Sequence, residues 1–135
     1  MTVEPIRSRK QIKKLIAHLE NNYTRRDALL FRTGINTILR VGDLLRLRYC
    51  DIFDENGKFR RYLVLHEKKT SKEKKIALNP KIRSEIKEYV EFYELDSDDH
   101  LFFSYQDPTR PIDRIRAWRI LKKAATECGI ENLGT

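Results

Sequence analysis

Residues 34–48, GINTILRVGDLLRLR, carry the pattern that decides the fold of this 135-residue chain. Thr37 is of a residue type that caps helix N-termini, and apolar residues follow it at helical spacing. These residues are Val41, Leu44, Leu45 and Leu47. Arg40 and Asp43 lie three residues apart, which places them together on another face of a helix. The stretch therefore predicts a short helix, capped by Thr37, that presents an arginine beside an acid.

The residues before this stretch predict a helical hairpin. Residues 8–11, SRKQ, have the spacing of a capping box, and the apolar pattern after them predicts a helix over 9–21 with a basic outer face. A second start at Thr24 leads into an apolar run that predicts a central helix, which Gly34 ends or bends.

Strands and two further helices are predicted after the stretch. Residues 61–65 and 75–78 have the composition of strands, and the lysine-rich segment 67–74 lies between them as the tip of a β-hairpin. A helix is predicted over about 79–94, with Asn79 as its N-cap, and another over about 113–129, with Asp113 as its N-cap. The inward residues of the last helix are expected to be Ile115, Trp118, Leu121, Ala125 and Cys128.

The charge of the chain is high and unevenly distributed. The formal net charge is +8, and residues 58–75 carry 8 basic and 2 acidic side chains, whereas residues 76–113 carry 4 and 9. A dense basic patch of this kind indicates a polyanionic partner. The two cysteines lack the spacing of a metal site, and no window is apolar enough to span a membrane. We therefore expect a cytoplasmic protein without membrane contacts.

The stretch that includes Arg40 and Asp43, together with the following Asp51-Ile52, resembles the first arginine box of tyrosine recombinases and phage integrases. That box usually reads Thr-Gly-Leu-Arg, two residues, then an acid and Leu. Ile38 stands where the family has glycine, while the arginine and the acid keep their spacing.

Residues 69–78, KTSKEKKIAL, resemble the β-hairpin of the same family. The resemblance implies that Lys69 is the catalytic lysine, with Lys68 and Lys72 as alternatives for that role. Further DNA contacts are expected from the hairpin and from the last helix. These residues are Lys68, Thr70, Ser71, Lys72, Lys74, Lys75, Arg114, Arg116, Lys122 and Lys123.

The expected chemistry needs these residue types. A phosphodiester under in-line attack gathers negative charge on its non-bridging oxygens, and a planar guanidinium donates paired hydrogen bonds to such oxygens. Arg40 is therefore the candidate transition-state clamp, and Asp43 is the candidate that supports its guanidinium. The leaving deoxyribose oxygen needs a proton, which the resemblance assigns to Lys69. The alternative for Arg40 and Asp43 is an intrahelical ion pair with no catalytic role.

The resemblance also implies the fold and the reaction. The fold is expected to be α+β and mainly α, a helical integrase catalytic core with a small three-stranded antiparallel sheet and a basic β-hairpin. The reaction is site-specific recombination, in which double-stranded DNA is cleaved and rejoined through a 3′-phosphotyrosine. No metal or other cofactor is expected, and the partners are DNA and other recombinase protomers in a synaptic complex.

Residues 1–135 are expected to be a partial catalytic domain, bacterial or phage-encoded. The family's second box, His-x-x-Arg, its nucleophilic tyrosine and its amino-terminal DNA-clamping domain are not found, and the string at 66–69 lies at a strand end and does not match that helical box. We therefore expect these residues to be inactive by themselves. An integrase-derived protein that binds DNA or regulates without catalysis is an alternative, and an unrelated RNA-binding helical module is another.

Overall fold

The computed structural model of the chain describes residues 9–37, 39–66 and 73–130. These ranges fold into six helices and a two-stranded hairpin, in agreement with the predicted mainly helical class. The elements are α1 (Arg9–Asn22), α2 (Arg25–Asn36), α3 (Val41–Leu45), α4 (Tyr49–Ile52), β1 (Leu63–His66), β2 (Glu73–Ile76), α5 (Pro80–Phe92) and α6 (Arg114–Glu127). None of the helices in these ranges has the length and apolar character needed to cross a bilayer.

Two apolar clusters hold the helices together. In the smaller one, Leu15 and Leu19 of α1 pack against α2 and against Ala124 and Ala125 of α6. The larger cluster joins α2, α3, the hairpin and α5 around Phe102, which is fully buried. The alanines of α6 let the neighbouring helices approach closely, because they add little side-chain volume at the contact.

α2 runs through Gly34 to Asn36, so Gly34 does not end this helix, which was one of the two roles predicted for it. Thr37 is the C-cap of α2, and its hydroxyl donates to the Thr33 carbonyl oxygen at 2.8 Å. The predicted N-cap role of Thr37 is therefore wrong. The hydroxyl completes the end of α2, and α3 begins only after Arg40, which is its N-cap with φ −72° and ψ 153°.

Replacing Gly34 by alanine is expected to stabilise the chain by about 0.5–1 kcal/mol, because a helical glycine loses more backbone entropy on folding than alanine does. An added Cβ would meet Leu44 Cδ2 at 3.7 Å, which is an ordinary contact. Gly129→Ala is the matched comparison. Gly129 has φ +73°, which is unfavourable for a residue with a Cβ, so this variant should be less stable than the unmodified chain. Urea unfolding of both variants measures the difference, and a loss of stability in Gly34→Ala would contradict the prediction.

The hairpin consists of antiparallel β1 and β2, with Leu63 paired to Ile76. A third strand is not formed in the described part of the chain, so the expected three-stranded sheet is corrected to two strands. The residues between α3 and β1 make a helical turn, α4, and then a tight turn in which Asp54 Oδ1 accepts two backbone N–H groups at 2.9 Å. Phe53 and Phe59 form a single isolated bridge across this turn, flanked by backbone hydrogen bonds from the Asp54 N–H to the Lys58 carbonyl oxygen and from the Arg60 N–H to the Ile52 carbonyl oxygen.

α5 and α6 begin at the predicted caps. Asn79 accepts a hydrogen bond from the Ile82 N–H at 2.8 Å, and Asp113 caps α6. The expected inward face of α6 is wrong at Ile115, which is 59% exposed, whereas Ala117 is buried. Ile115 lies in the first turn, where the bond from its N–H to Asp113 fixes the helix rotation before the apolar stripe begins.

Candidate functional site

Arg40 is an exposed arginine on a fixed backbone. Its carbonyl oxygen accepts the Leu44 N–H at 2.9 Å, and its neighbour Leu39 is buried. The Arg40 side chain is exposed and makes no ion pair or side-chain hydrogen bond with any residue that the structure describes. The guanidinium is therefore available to an external anion while its Cα is held by the start of α3.

Asp43 forms its ion pair with Arg46, not with Arg40. Asp43 Oδ1 lies 2.5 Å from the Arg46 guanidinium. The expectation that Asp43 holds the Arg40 guanidinium on a shared helix face is thus not met in this structure. The physical reason is the helix start: Arg40 has extended backbone at the N-cap, so the spacing that joins residues three apart inside a helix does not apply to it.

The expected residues of the hairpin tip lie outside the described part of the chain. They are Lys68, Lys69, Thr70, Ser71 and Lys72, and the side chain of Lys74 also lies outside it. Lys75 is described, and it is exposed on β2 opposite Val64. The hairpin base is anchored by the buried pair Leu63 and Ile76. The chain is therefore fixed in place directly beside the segment that carries the candidate catalytic lysine.

The cations expected on the last helix are all exposed on α6: Arg114, Arg116, Lys122 and Lys123. Arg116 and Lys123 are seven residues apart and share a face. Arg119, which the sequence analysis did not select, lies between them at helical spacing and is exposed as well. Its spacing of three residues from Arg116 and four from Lys123 is the signal by which it could have been found.

An apolar groove lies between α6 and the residues that flank Arg40. It has a volume of about 600 Å³ and is lined by residues of α2, α3 and α6. Leu39 and Val41, on either side of Arg40, line it together with Arg114 and Trp118. Val41 is 38% exposed, contrary to the inward position predicted for it. The groove thus lies between the neighbours of Arg40 and the basic start of α6.

Several tyrosine hydroxyls are engaged in hydrogen bonds. Tyr23 donates to Glu127 at 2.6 Å, and burial together with this carboxylate raises the pKa of Tyr23 to about 12. Tyr89 donates to a backbone carbonyl oxygen at 2.7 Å, and burial raises its pKa above the usual value. The hydroxyls of Tyr93 and Tyr105 lie 2.8 Å apart, and burial raises the pKa of Tyr93. A raised pKa makes a phenol harder to ionise, so Tyr23, Tyr89 and Tyr93 are poor nucleophiles here.

No group of three or more histidine, cysteine, aspartate or glutamate side chains suited to a metal ion occurs in the described ranges. The candidate binding residues that the structure describes are cationic. They consist of an unpaired arginine, an exposed lysine at the hairpin base and the cations of a basic helix. Such an arrangement can hold phosphate groups.

Comparisons with known proteins identify relatives over nearly the whole chain. The model of the phage integrase family matches residues 7–135. The probable integrase/recombinase YoeC of Bacillus subtilis (strain 168) is 38% identical over 133 residues, which cover 98% of this chain and 68% of that protein.

Solved recombinase structures share the fold. The crystal structure of XerA recombinase matches with a TM-score of 0.74 at 18% identity, over 98% of this chain and 45% of that one. The lambda integrase fragment of residues 75–356 bound to DNA matches with a TM-score of 0.74 at 18% identity, over 99% of this chain and 46% of that one. The chain thus spans less than half the length of these solved proteins.

Proposed function

The chain belongs to the phage integrase family, and on that premise we propose that it is the DNA-binding part of a site-specific recombinase that cleaves and rejoins duplex DNA through a 3′-phosphotyrosine. The observation that carries this proposal is Arg40. It keeps the position of the arginine in the family's first box, and its guanidinium is exposed with no partner in the described ranges. Because Asp43 pairs with Arg46, no carboxylate among the described residues occupies the Arg40 guanidinium.

Arg40 acts on the scissile phosphate. Its guanidinium donates two parallel hydrogen bonds to the non-bridging oxygens, and these bonds strengthen as charge builds up during in-line attack. Asp43 supports Arg40 indirectly. As the third residue of α3, it places a negative charge in the first turn and so stabilises the helix start at which Arg40 is the N-cap. Lys69 protonates the leaving deoxyribose oxygen, with Lys68 and Lys72 as the alternatives for that role.

The remaining cations position the DNA. Lys75 and the other hairpin residues contact the backbone on one side of the scissile phosphate, and Arg114, Arg116, Lys122 and Lys123 contact it from α6. Contacts of this kind fix the register of the duplex and carry little sequence information. The lambda integrase neighbours include a dimer bound to a core site and a tetramer bound to a Holliday junction, which supports a synaptic complex of protomers as the working form.

These 135 residues are proposed to bind DNA without cleaving it, as a partial catalytic domain. None of their tyrosines follows a His-x-x-Arg box, and the hydroxyls of Tyr23, Tyr89 and Tyr93 are hydrogen bonded with raised pKa values. The alternative function, a non-catalytic integrase-derived protein that binds DNA or regulates an intact recombinase, shares the DNA-binding step.

We expect the chain to bind duplex DNA in a salt-sensitive manner and to form no covalent adduct on a nicked duplex. Fluorescence anisotropy measures the binding, and denaturing gel electrophoresis of labelled DNA detects a protein–DNA bond. The Arg40→Ala variant should bind about 5- to 30-fold more weakly, because one charge-assisted phosphate contact of about 1–2 kcal/mol is lost. Arg40→Lys should bind with an affinity between the two, since it keeps the charge without the paired donors.

The two readouts test different parts of the proposal. Absence of binding at low salt would contradict the DNA-binding function. A covalent adduct would contradict the proposed inactivity and would show that one of these tyrosines is a nucleophile. Equal affinity of Arg40→Ala and the unmodified chain would remove Arg40 from the DNA interface.

A further inference from the structure

The first half of α1 is a band of unpaired positive charge. It consists of Arg9, Lys10, Lys13 and Lys14, all of them exposed. None of these side chains makes an ion pair with a residue in the described ranges. The first acid along α1 is Glu20, which pairs with Arg32 instead. The four charges therefore have no carboxylate partner in the described part of the fold. We call them the α1 basic band.

The position of these charges is unfavourable for the helix that carries them. The N-terminal end of a helix has a partial positive charge, and acids are preferred in its first turn. The first turn of α1 contains no acid. Arg9 and Lys13, and likewise Lys10 and Lys14, are like charges four residues apart, which repel each other. A bound polyanion would offset both effects, whereas a purely structural helix would gain from acids at the same positions.

One residue of the α1 basic band, Lys13, lies at a cleft whose lining includes the end of α2 that leads into Arg40. Lys13 lines this cleft, of about 620 Å³ between α1, α2 and the start of α5, together with Asn36, Asn79 and Lys81. Asn36 precedes Arg40 by four residues, and Asn79 follows the end of β2 by three. The side chains of these two asparagines lie 3.5 Å apart. The cleft therefore sits where the chain leads into Arg40 and where it leaves the hairpin.

The cleft also contains two acids, which share one guanidinium. Glu20 and Glu85 both form ion pairs with the Arg32 guanidinium, which lies between them. Lys13 and Lys81 thus face the cleft without a carboxylate of their own among the described residues. The described lining of the cleft therefore has three cations and two carboxylates, so an anion that approaches it meets one net positive charge.

We propose that the α1 basic band and Lys81 form a second binding surface for the phosphate backbone of duplex DNA, next to the one that Arg40 and the hairpin provide. This inference rests on the proposed function, which supplies duplex DNA as the polyanion. The band extends the contact along the same duplex beyond the scissile phosphate. It contributes affinity and register, and it takes no part in the chemistry.

The test compares two variants that remove the same charge. Lys13→Gln with Lys14→Gln changes the band, and Lys87→Gln with Arg110→Gln removes two exposed cations from the acidic segment. A plot of log affinity against log salt concentration should be less steep for the band variant. The magnitude of its slope should decrease by about 1 to 2, since each phosphate contact contributes about 0.9. The affinity of the band variant at low salt should fall about 5- to 20-fold, while the control changes less than about twofold. Without DNA, the band variant should melt at a higher temperature, because the repulsion at the start of α1 is relieved.

The outcomes separate this inference from the function on which it rests. An unchanged salt slope in the band variant, with DNA binding that still depends on the hairpin lysines, would overturn the inference alone. Equal losses in the band and control variants would also overturn it, because net charge would then account for both. Absence of duplex binding by the unmodified chain would overturn the proposed function and the inference together.

Discussion

A variant whose five hairpin lysines are replaced by alanine is expected to lose affinity for duplex DNA by about 100- to 1000-fold at low salt. The five are Lys68, Lys69, Lys72, Lys74 and Lys75. Each lysine that contacts a phosphate releases a condensed counterion, so the loss of several contacts lowers both the affinity and its dependence on salt. Fluorescence anisotropy over a salt series measures both quantities. This is the largest effect we expect on binding, because the variant removes five cations from eight consecutive residues.

The control for the hairpin variant is Lys87→Gln with Arg110→Gln, which should leave binding almost unchanged. A single Lys69→Ala variant should weaken binding far less than the fivefold variant, since one phosphate contact contributes a slope of only about 0.9. Binding by the fivefold variant within about threefold of the unmodified chain, with the same salt slope, would exclude the hairpin from the interface.

Replacing Arg26 by methionine is expected to lower the free energy of unfolding by about 3–5 kcal/mol, because it leaves Asp27 buried without its charge partner. Both side chains are about 95% buried, and Asp27 Oδ1 accepts from the Arg26 guanidinium at 3.0 and 3.2 Å. The same guanidinium donates to the Phe103 carbonyl oxygen at 3.1 Å and packs over the Tyr105 ring. Urea unfolding measures the loss.

Arg25 provides the matched control for Arg26, because it precedes it in α2 and has an exposed side chain. Its guanidinium lies 4.1 Å above the ring of Phe92, which is itself 57% exposed, so Arg25→Met should cost less than about 1 kcal/mol. The double variant with Arg26→Met and Asp27→Leu should recover much of the stability, since it removes both buried charges. A cost below about 1 kcal/mol for Arg26→Met alone would contradict the role of the buried pair.

The sequence alone predicted most of the helices, because their signals are local. Apolar residues at helical spacing and the caps Thr24, Asn79 and Asp113 predicted the starts of α2, α5 and α6, and all three caps accept the expected backbone hydrogen bonds. The predictions failed where one residue had two possible local uses. Thr37 can cap the start of one helix or the end of another, and the packing of α2 against α3 decided for the end of α2.

The candidate site, too, could be predicted only in part from the sequence. Residue types and their spacing were sufficient to select Arg40, because the family's box is a contiguous motif, and the family match agrees with that resemblance. They were not sufficient to assign the partner of Asp43, since that depends on the exact residue at which α3 begins. The DNA contact of Arg40 is a prediction that the DNA-binding experiment tests.

The sequence by itself determined the family, the mainly helical class and the basic character of the hairpin, because motif spacing, apolar periodicity and charge are properties of the chain alone. Only the tertiary structure decided which cations are free. Arg26 and Arg32 count toward the same net charge as Arg40 and Lys13, yet the first two bind carboxylates of the fold while the other two carry no partner among the described residues. Long-range packing brings charges such as Glu20, Arg32 and Glu85 together, and no local pattern encodes that distance.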